Sequence, residues 1–137
     1  MAELKNPIKE AERYLANARQ ILSEKAEKDG NYYNDSKYVK LAGHAAWSGV
    51  LIALDGALNV KDNFKSGQRP DIKDYQNAVA KKDRKMPRYL LDAYVNIHQS
   101  LGYDGVTNYK VVQAGMEQAK EMIAWASKYY KETKAAK

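Results

Sequence analysis

The chain has 137 residues, 45% hydrophobic and 29% charged, a balance typical of one soluble globular domain. It contains no cysteine, which excludes disulfides, thiolate metal sites and cysteine nucleophiles. Its 23 basic and 17 acidic residues give a formal net charge of +6, which favours nucleic acid or an acidic protein as a partner. The first residues, MAELKNPIKE, lack the apolar core of a signal peptide, so we expect a cytoplasmic protein.

The first helix is predicted to begin at Asn6-Pro7, because asparagine caps a helix and proline suits its first position. Gly30 provides the residue that ends it, and the segment 31–35 (NYYND) is predicted to be a loop. One buried face is indicated by apolar residues recurring at spacings of three and four: Ile8, Ala11, Leu15, Ala18, Leu22 and Ala26.

The second helix is predicted to follow a cap at Asp35 or Ser36 and to end near Asn59. Its segment 41–58 carries one stripe of small residues and one of large residues, which indicates a central helix that packs closely against its neighbours. Because this segment is barely long enough to cross a bilayer and contains a histidine and an aspartate, we expect a water-soluble core helix rather than a membrane span.

Capping residues and apolar spacing also predict the elements that follow the second helix. Segment 60–70 is predicted to be a loop, Asp71 to cap a short third helix, and segment 86–101 to form a fourth. Segment 102–105 (GYDG) is a turn signal. No alternation typical of strands appears, so we predict an all-α, single-domain antiparallel bundle of four to five helices over residues 1–137.

The last helix is predicted to be capped by Thr107 or Asn108 and to lose its regular structure from about residue 132. Its apolar residues again recur at helical spacing: Val112, Gly115 or Met116, Ala119, Ile123, Ala126 and Tyr130.

The fourth helix is predicted to present a recognition surface to a protein partner. On a helical wheel its polar arc also contains a tyrosine and a valine, and exposed tyrosine, valine and arginine together are typical of such surfaces. We call this set the binding face: Arg88, Tyr89, Asp92, Val95 and Gln99. The core line of the helix is Met86, Leu90, Ala93, Ile97 and Leu101, widened by Pro87, Leu91, Tyr94 and His98.

A run of cations precedes the binding face and shares Arg88 with it. We call it the basic elbow: Lys81, Lys82, Arg84, Lys85 and Arg88. Positive charge at a helix C-terminus is favourable by itself, which is a structural explanation. The alternative is a salt-sensitive phosphate-binding surface for nucleic acid, with Tyr89 available for stacking on a base.

Three polar residues of the second helix form what we call the polar seam: His44, Ser48 and Asp55. Histidine and serine four residues apart are reminiscent of a base beside its nucleophile, but Asp55 lies about 16 Å along the axis from His44, too far to orient the imidazole. We therefore expect the seam to meet water or a buried hydrogen-bond partner rather than to catalyse a reaction.

Convergence of His44 and His98 with a carboxylate is one route to a metal site, but the chain has no HExxH or similar spacing. We expect satisfied or half-exposed imidazoles, with no metal and no cofactor. Paired-carboxylate motifs, glycine-rich phosphate loops and nucleotide fingerprints are also absent from the sequence.

The segments KYVKLAGHAAWSGVLIALD and GYDG resemble an uncharacterised bacterial domain family of small all-helical proteins, and the resemblance covers nearly the whole chain. The stretch GHAAWSGVLIALDGAL is also distantly similar to a core helix of the HEPN superfamily (higher eukaryotes and prokaryotes nucleotide-binding). The nuclease signature of that superfamily is an arginine followed by a histidine four to six residues later. Here nine residues separate Arg88 from His98, so the resemblance implies a non-catalytic relative.

The leading functional hypothesis is therefore a non-enzymatic, protein-binding helical bundle that does not contact a membrane. A HEPN-like protein that binds or cleaves nucleic acid through the basic elbow is the alternative. A rigid bundle of this size also suits an engineered binder, with Pro87 opening a helix on which Arg88, Tyr89 and Val95 are exposed.

Overall fold

The structure is a computed structural model that describes residues 6–65 and 67–135, without the side chains of residues 63 and 131–135. It confirms the predicted all-α bundle. In chain order the elements are α1 (Pro7–Glu24), β1 (Lys28–Asp29), β2 (Tyr32–Tyr33), α2 (Ser36–Leu58), a 3-10 turn (Val60–Asn63), α3 (Ile72–Ala80), α4 (Met86–Ala93), a π-helix (Tyr94–Tyr103) and α5 (Tyr109–Ala135).

Helix α1 begins as its cap predicts. The side chain of Asn6 accepts hydrogen bonds from the backbone N–H groups of Ile8 and Lys9, at 2.9 and 3.2 Å. Every residue of the predicted apolar face is buried, including Ala26 beyond the helix end. Since these side chains share one stripe, their burial fixes the rotation of α1 about its axis.

The loop predicted at 31–35 is wrong in part, because β1 and β2 form a short antiparallel hairpin there. Gly30 adopts a left-handed conformation with φ 62°, which the turn requires. The backbone N–H of Tyr33 donates to the carbonyl of Thr107, 2.9 Å away. Two-residue strands are too short to show alternation in the sequence, and this contact with a distant segment holds them in place.

Helix α2 is the centre of the bundle and packs against α1, α5 and the π-helix. The side chain of Asp35 caps its start, and Asn59 ends it in a left-handed conformation. The small-residue stripe is packed as predicted: a Cβ atom added to Gly49 would lie 2.9 Å from the carbonyl oxygen of Ala11 on α1. Such close contact explains why large side chains are excluded from this stripe.

By length and composition Ser36–Leu58 is also long and apolar enough to cross a membrane, and half of an apolar 18-residue stretch within it is buried inside the structure. Core helices of soluble proteins meet the same criterion. Its packing against three other helices agrees with the predicted core role.

Helix α3 is short but firmly capped. Asp71 and Asp74 each accept a hydrogen bond from the other's backbone N–H, which satisfies two donors at the helix start. Its residues Tyr75 and Val79 are buried. The predicted loop before it contains the 3-10 turn at its beginning, so the connection is more ordered than its glycine and proline content suggests.

The fourth helix differs from the prediction. It is α-helical only to Ala93 and continues as a π-helix to Tyr103, two residues beyond the predicted interval 86–101 and into the predicted GYDG turn. Leu90, Ala93, Ile97 and Leu101 are nonetheless fully buried, as the core line predicts. The π-turn changes the angular position of each side chain after Ala93, and local periodicity does not reveal such a change.

Helix α5 starts after Asn108, whose side chain accepts from the backbone N–H of Val111 at 3.1 Å. The expected loss of structure from residue 132 is wrong for the described backbone, which stays helical to Ala135, and the last two residues lie outside the described residues. Lysine, glutamate and alanine are good helix formers, which accounts for the extension.

Candidate functional site

The binding face is largely where the sequence predicts it. Arg88, Asp92, Val95 and Gln99 are exposed on α4 and the π-helix. Tyr89 is a correction: its ring is partly buried against the core, and its hydroxyl donates to Glu121 on α5. Burial and this carboxylate together raise the pKa of Tyr89. The wheel misplaced it because α5 covers that edge of α4.

The structure adds one residue to this surface that the sequence assigned to the core. Leu91 is 40% exposed, four residues before Val95, which is 41% exposed. Residues four apart on a helix are neighbours on one face, so the two form an exposed apolar pair with charged residues around it. Leu91 lies at the margin of the predicted apolar stripe, and its position there was the signal for its exposure.

All five residues of the basic elbow are exposed, and within the described residues none of them forms an ion pair. Two aromatic rings of α5 lie beside it. The Nζ atom of Lys82 is 5.9 Å from the ring centroid of Tyr129, and that of Lys128 is 5.6 Å from the same centroid. Trp125 packs on Tyr129 with centroids 4.6 Å apart. This cluster combines positive charge with aromatic surface.

The polar seam does not act as one unit. Ser48 and Asp55 line a cavity of ≈ 390 Å³ between α1, α2 and the 60–70 connection. Asp55 accepts a hydrogen bond from the hydroxyl of Tyr75 at 2.9 Å and pairs with Lys61 at 3.5 Å. Burial raises the pKa of Asp55, while the tyrosine and the lysine oppose that rise. Asp55 is therefore a hydrogen-bond partner for α3, in agreement with the expectation that the polar seam meets water or a buried hydrogen-bond partner.

His44, in contrast, lies against the π-helix. Its ring centroid is 6.2 Å from that of His98, so the two histidines converge, although no group of three or more metal-ligating His, Cys, Asp or Glu side chains occurs among the described residues. The approach is possible because two glycines meet: a Cβ added to Gly43 would lie 2.6 Å from the backbone nitrogen of Gly102. A larger residue at Gly43 would separate the helices, whereas a Cβ added to Gly102 would lie 3.3 Å from Cε1 of the exposed His44 side chain.

His98 is set in an aromatic cluster that sequence analysis missed. Its ring centroid lies 6.0 Å from that of Trp47, 5.2 Å from that of Tyr94 and 5.2 Å from that of Tyr103. Its Nδ1 atom is buried and has no hydrogen-bond partner in the described part of the chain, while the side chain as a whole is half-buried, so of the two predicted states the structure shows the half-exposed imidazole. Burial, and to a smaller degree His44, lower the pKa of His98.

This lowered pKa makes stability depend on pH. The unfolded chain binds a proton at His98 more readily than the native protein, so the free energy of unfolding is expected to fall as pH decreases from 7 through 6.5 toward the native pKa. Urea unfolding at several pH values measures the slope, and His98→Phe is expected to reduce it. An equal slope in the variant would assign the dependence to other groups.

The fold and sequence of this chain are similar to those of known proteins. Residues 6–128 match the model of a family described as a domain of unknown function, DUF5618. The chain belongs to this family. A solved structure of a protein of unknown function from Dyadobacter fermentans is 38% identical, with a TM-score of 0.78, and the match covers 89% of this chain and 93% of that one. The predicted resemblance to an uncharacterised family of small helical proteins is thus confirmed. The similarity to the HEPN superfamily stays a prediction.

One curated relative carries the name guanylate kinase, from Clostridium tetani (strain Massachusetts / E88). It is 27% identical over 101 residues, a match that covers 69% of this DUF5618 chain and 49% of the relative. The chain therefore spans about half the length of that protein. The sequence of the present chain has no glycine-rich loop of the type that holds nucleotide phosphates.

Proposed function

We propose that this DUF5618 domain is a non-enzymatic, cytoplasmic binding module whose partner is another protein, held on the binding face together with Leu91. The observation that supports this most is the apolar pair, Leu91 and Val95. Their side chains are 40% and 41% exposed, although the opposite face of the same helical segment is buried in the core. Apolar centres ringed by charged residues are typical of protein-binding surfaces. This proposal does not depend on the separate hypothesis that the chain is an engineered binder.

Charge determines the kind of partner. The basic elbow leads directly into the binding face, and its cations lack carboxylate partners among the described residues. A partner segment that covers Leu91 and Val95 therefore approaches Arg84, Lys85 and Arg88. The segment that fits is an acidic amphipathic helix, with apolar side chains on the pair and carboxylates on the elbow.

The proposed binding face is tested by comparing Val95 with Val111, a valine of nearly the same exposure on another helix. Native lysate of the producing cells is passed over wild-type protein, over Leu91→Ala/Val95→Ala, and over Val111→Ala as the control, since Val111 is 40% exposed on α5. We expect one acidic protein to be retained by wild type and by the control, and its affinity for the double variant to be reduced about tenfold or more. Thermal stability is expected to change little in either variant because the altered side chains are exposed.

Equal retention by the double variant would contradict the proposed face, and so would retention of no protein by the wild type. Tyr89→Phe provides a further comparison. It removes the hydrogen bond to Glu121 and leaves the ring in place, so a direct role of the ring in binding would survive this change.

Nucleic acid is the second candidate, and one observation favours it: Lys82 and Lys128 flank the ring of Tyr129, with Trp125 packed behind it. These two rings are partly buried, and cations beside accessible ring faces are typical of surfaces for single-stranded nucleic acid. With a fluorescent RNA of about 15 nucleotides, this candidate requires binding that weakens steeply with salt and is lost in Lys82→Glu/Arg84→Glu/Lys85→Glu. Binding that persists at about 0.5 M salt, where charges are strongly screened, would exclude it.

A further inference from the structure

The two histidines of the chain come from different helices, yet they lie together beside the close contact of Gly43 on α2 with Gly102 on the π-helix. Their ring centroids are 6.2 Å apart, and His44 is exposed. Three features coincide here: a stretch of π-helix, a pair of imidazoles and a buried Nδ1 atom without a partner. π-helical segments are frequent at functional sites.

We propose that His44 and His98 bind one divalent transition-metal ion, such as Cu²⁺, Ni²⁺ or Zn²⁺, through Nε2 of His98 and a ring nitrogen of His44. Neutral imidazole is a preferred ligand of these ions. The proposal is independent of the binding face, whose residues it does not use.

The identity of the ligating nitrogen follows from burial. Nδ1 of His98 is buried and has no hydrogen-bond partner in the described part of the chain, so an ion does not reach it, which leaves Nε2. The rings of His44 and Tyr103 meet that of His98 edge to face, at interplanar angles of 71° in both cases. In the tautomer with its proton on Nδ1, the imidazole has its lone pair on Nε2, the nitrogen that is left to bind an ion.

The separation of the two rings is close to what one ion needs. With metal–nitrogen bonds of about 2.1 Å, each ring centroid lies about 3.2 Å from the ion, so a tetrahedral angle places the centroids about 5 Å apart. The observed 6.2 Å requires an approach of about 1 Å. His44 is exposed and can supply this movement by rotating its side chain, whereas His98 is held by its neighbours.

The surroundings favour the unprotonated state that metal binding requires. Burial lowers the pKa of His98, which keeps its imidazole neutral at pH 7. The described residues provide no acidic third ligand, so water completes the coordination and the ion stays exchangeable. Since the two ligands belong to different helices, the ion also joins α2 to the π-helix and stabilises the native fold.

Titration calorimetry of the tag-free, metal-free protein with CuSO₄, NiCl₂ and ZnCl₂ tests the site above about pH 7, where imidazole is neutral. We expect one ion per chain, with Cu²⁺ bound most tightly, and a weakening of more than about tenfold in both His44→Ala and His98→Ala. Ser100→Ala is the matched control on the π-helix and is expected to bind as the wild type does. A saturating ion is expected to raise the melting temperature of the wild type but not that of His44→Ala.

Failure of the wild type to bind any of the three ions would overturn the proposal. Unchanged affinity in His44→Ala would do so as well, and this variant decides the matter if His98→Ala does not fold, because His44 is exposed and its loss leaves the core intact. Neither result bears on the binding face, which is tested by its own variants.

Discussion

Replacement of Gly43 by alanine is expected to lower the free energy of unfolding by about 1–3 kcal/mol. The added Cβ atom would lie 2.6 Å from the backbone nitrogen of Gly102 and 2.8 Å from Cβ of Leu101. Neither atom is the flexible end of a side chain, so α2 and the π-helix must separate. The higher helix propensity of alanine, by itself worth about 1 kcal/mol, is not sufficient to offset that loss of packing.

Urea unfolding of Gly43→Ala and of Ser48→Ala measures this effect. Ser48 is on the same helix, is partly exposed and has no hydrogen bond among the described residues, so its replacement is expected to be neutral or slightly stabilising. Equal stability of Gly43→Ala and wild type would show that the helices are not in tight contact at this glycine. The same variant is expected to weaken metal binding, because the separation of the helices moves His44 away from His98.

Leu101→Ala is expected to destabilise the protein by about 2–5 kcal/mol, the range for a leucine truncated in a well-packed core. Leu101 is fully buried and lies between two glycines of different helices. Its Cβ is 2.8 Å from a Cβ added to Gly43 on α2, and its Cδ1 is 2.9 Å from one added to Gly115 on α5. Three helices therefore meet at this side chain, and the rigid backbone around it cannot collapse into the cavity.

Leu91→Ala is the matched control, since Leu91 belongs to the same helical segment and is 40% exposed. Chemical unfolding of both variants is expected to show a large loss for Leu101→Ala and a loss of well under 1 kcal/mol for Leu91→Ala. Similar losses would mean that the core line and the exposed apolar pair are misassigned. A neutral Leu91→Ala also validates its use in the binding experiment.

Parts of the candidate site could be predicted from the sequence because they depend on helical position alone. Arg88, Asp92, Val95 and Gln99 are exposed as a helical wheel places them. Tyr89 could not be predicted, since its burial depends on Glu121, 32 residues further along the chain. The convergence of His44 and His98 leaves no signal in the sequence, because no spacing joins two helices that meet at the contact of Gly43 with Gly102.

The sequence alone determined where the helices begin and which faces they bury. Asn6 and Asp71 cap helices as predicted, and Asp35 and Asn108 are each one of the two caps predicted for their helix, because a cap involves only the next few residues. The tertiary structure alone decided the hairpin, the π-helix and the aromatic cluster around His98. Each of these depends on contacts between segments far apart in the chain, where packing overrides local preference, and such contacts leave no periodic signal in the sequence.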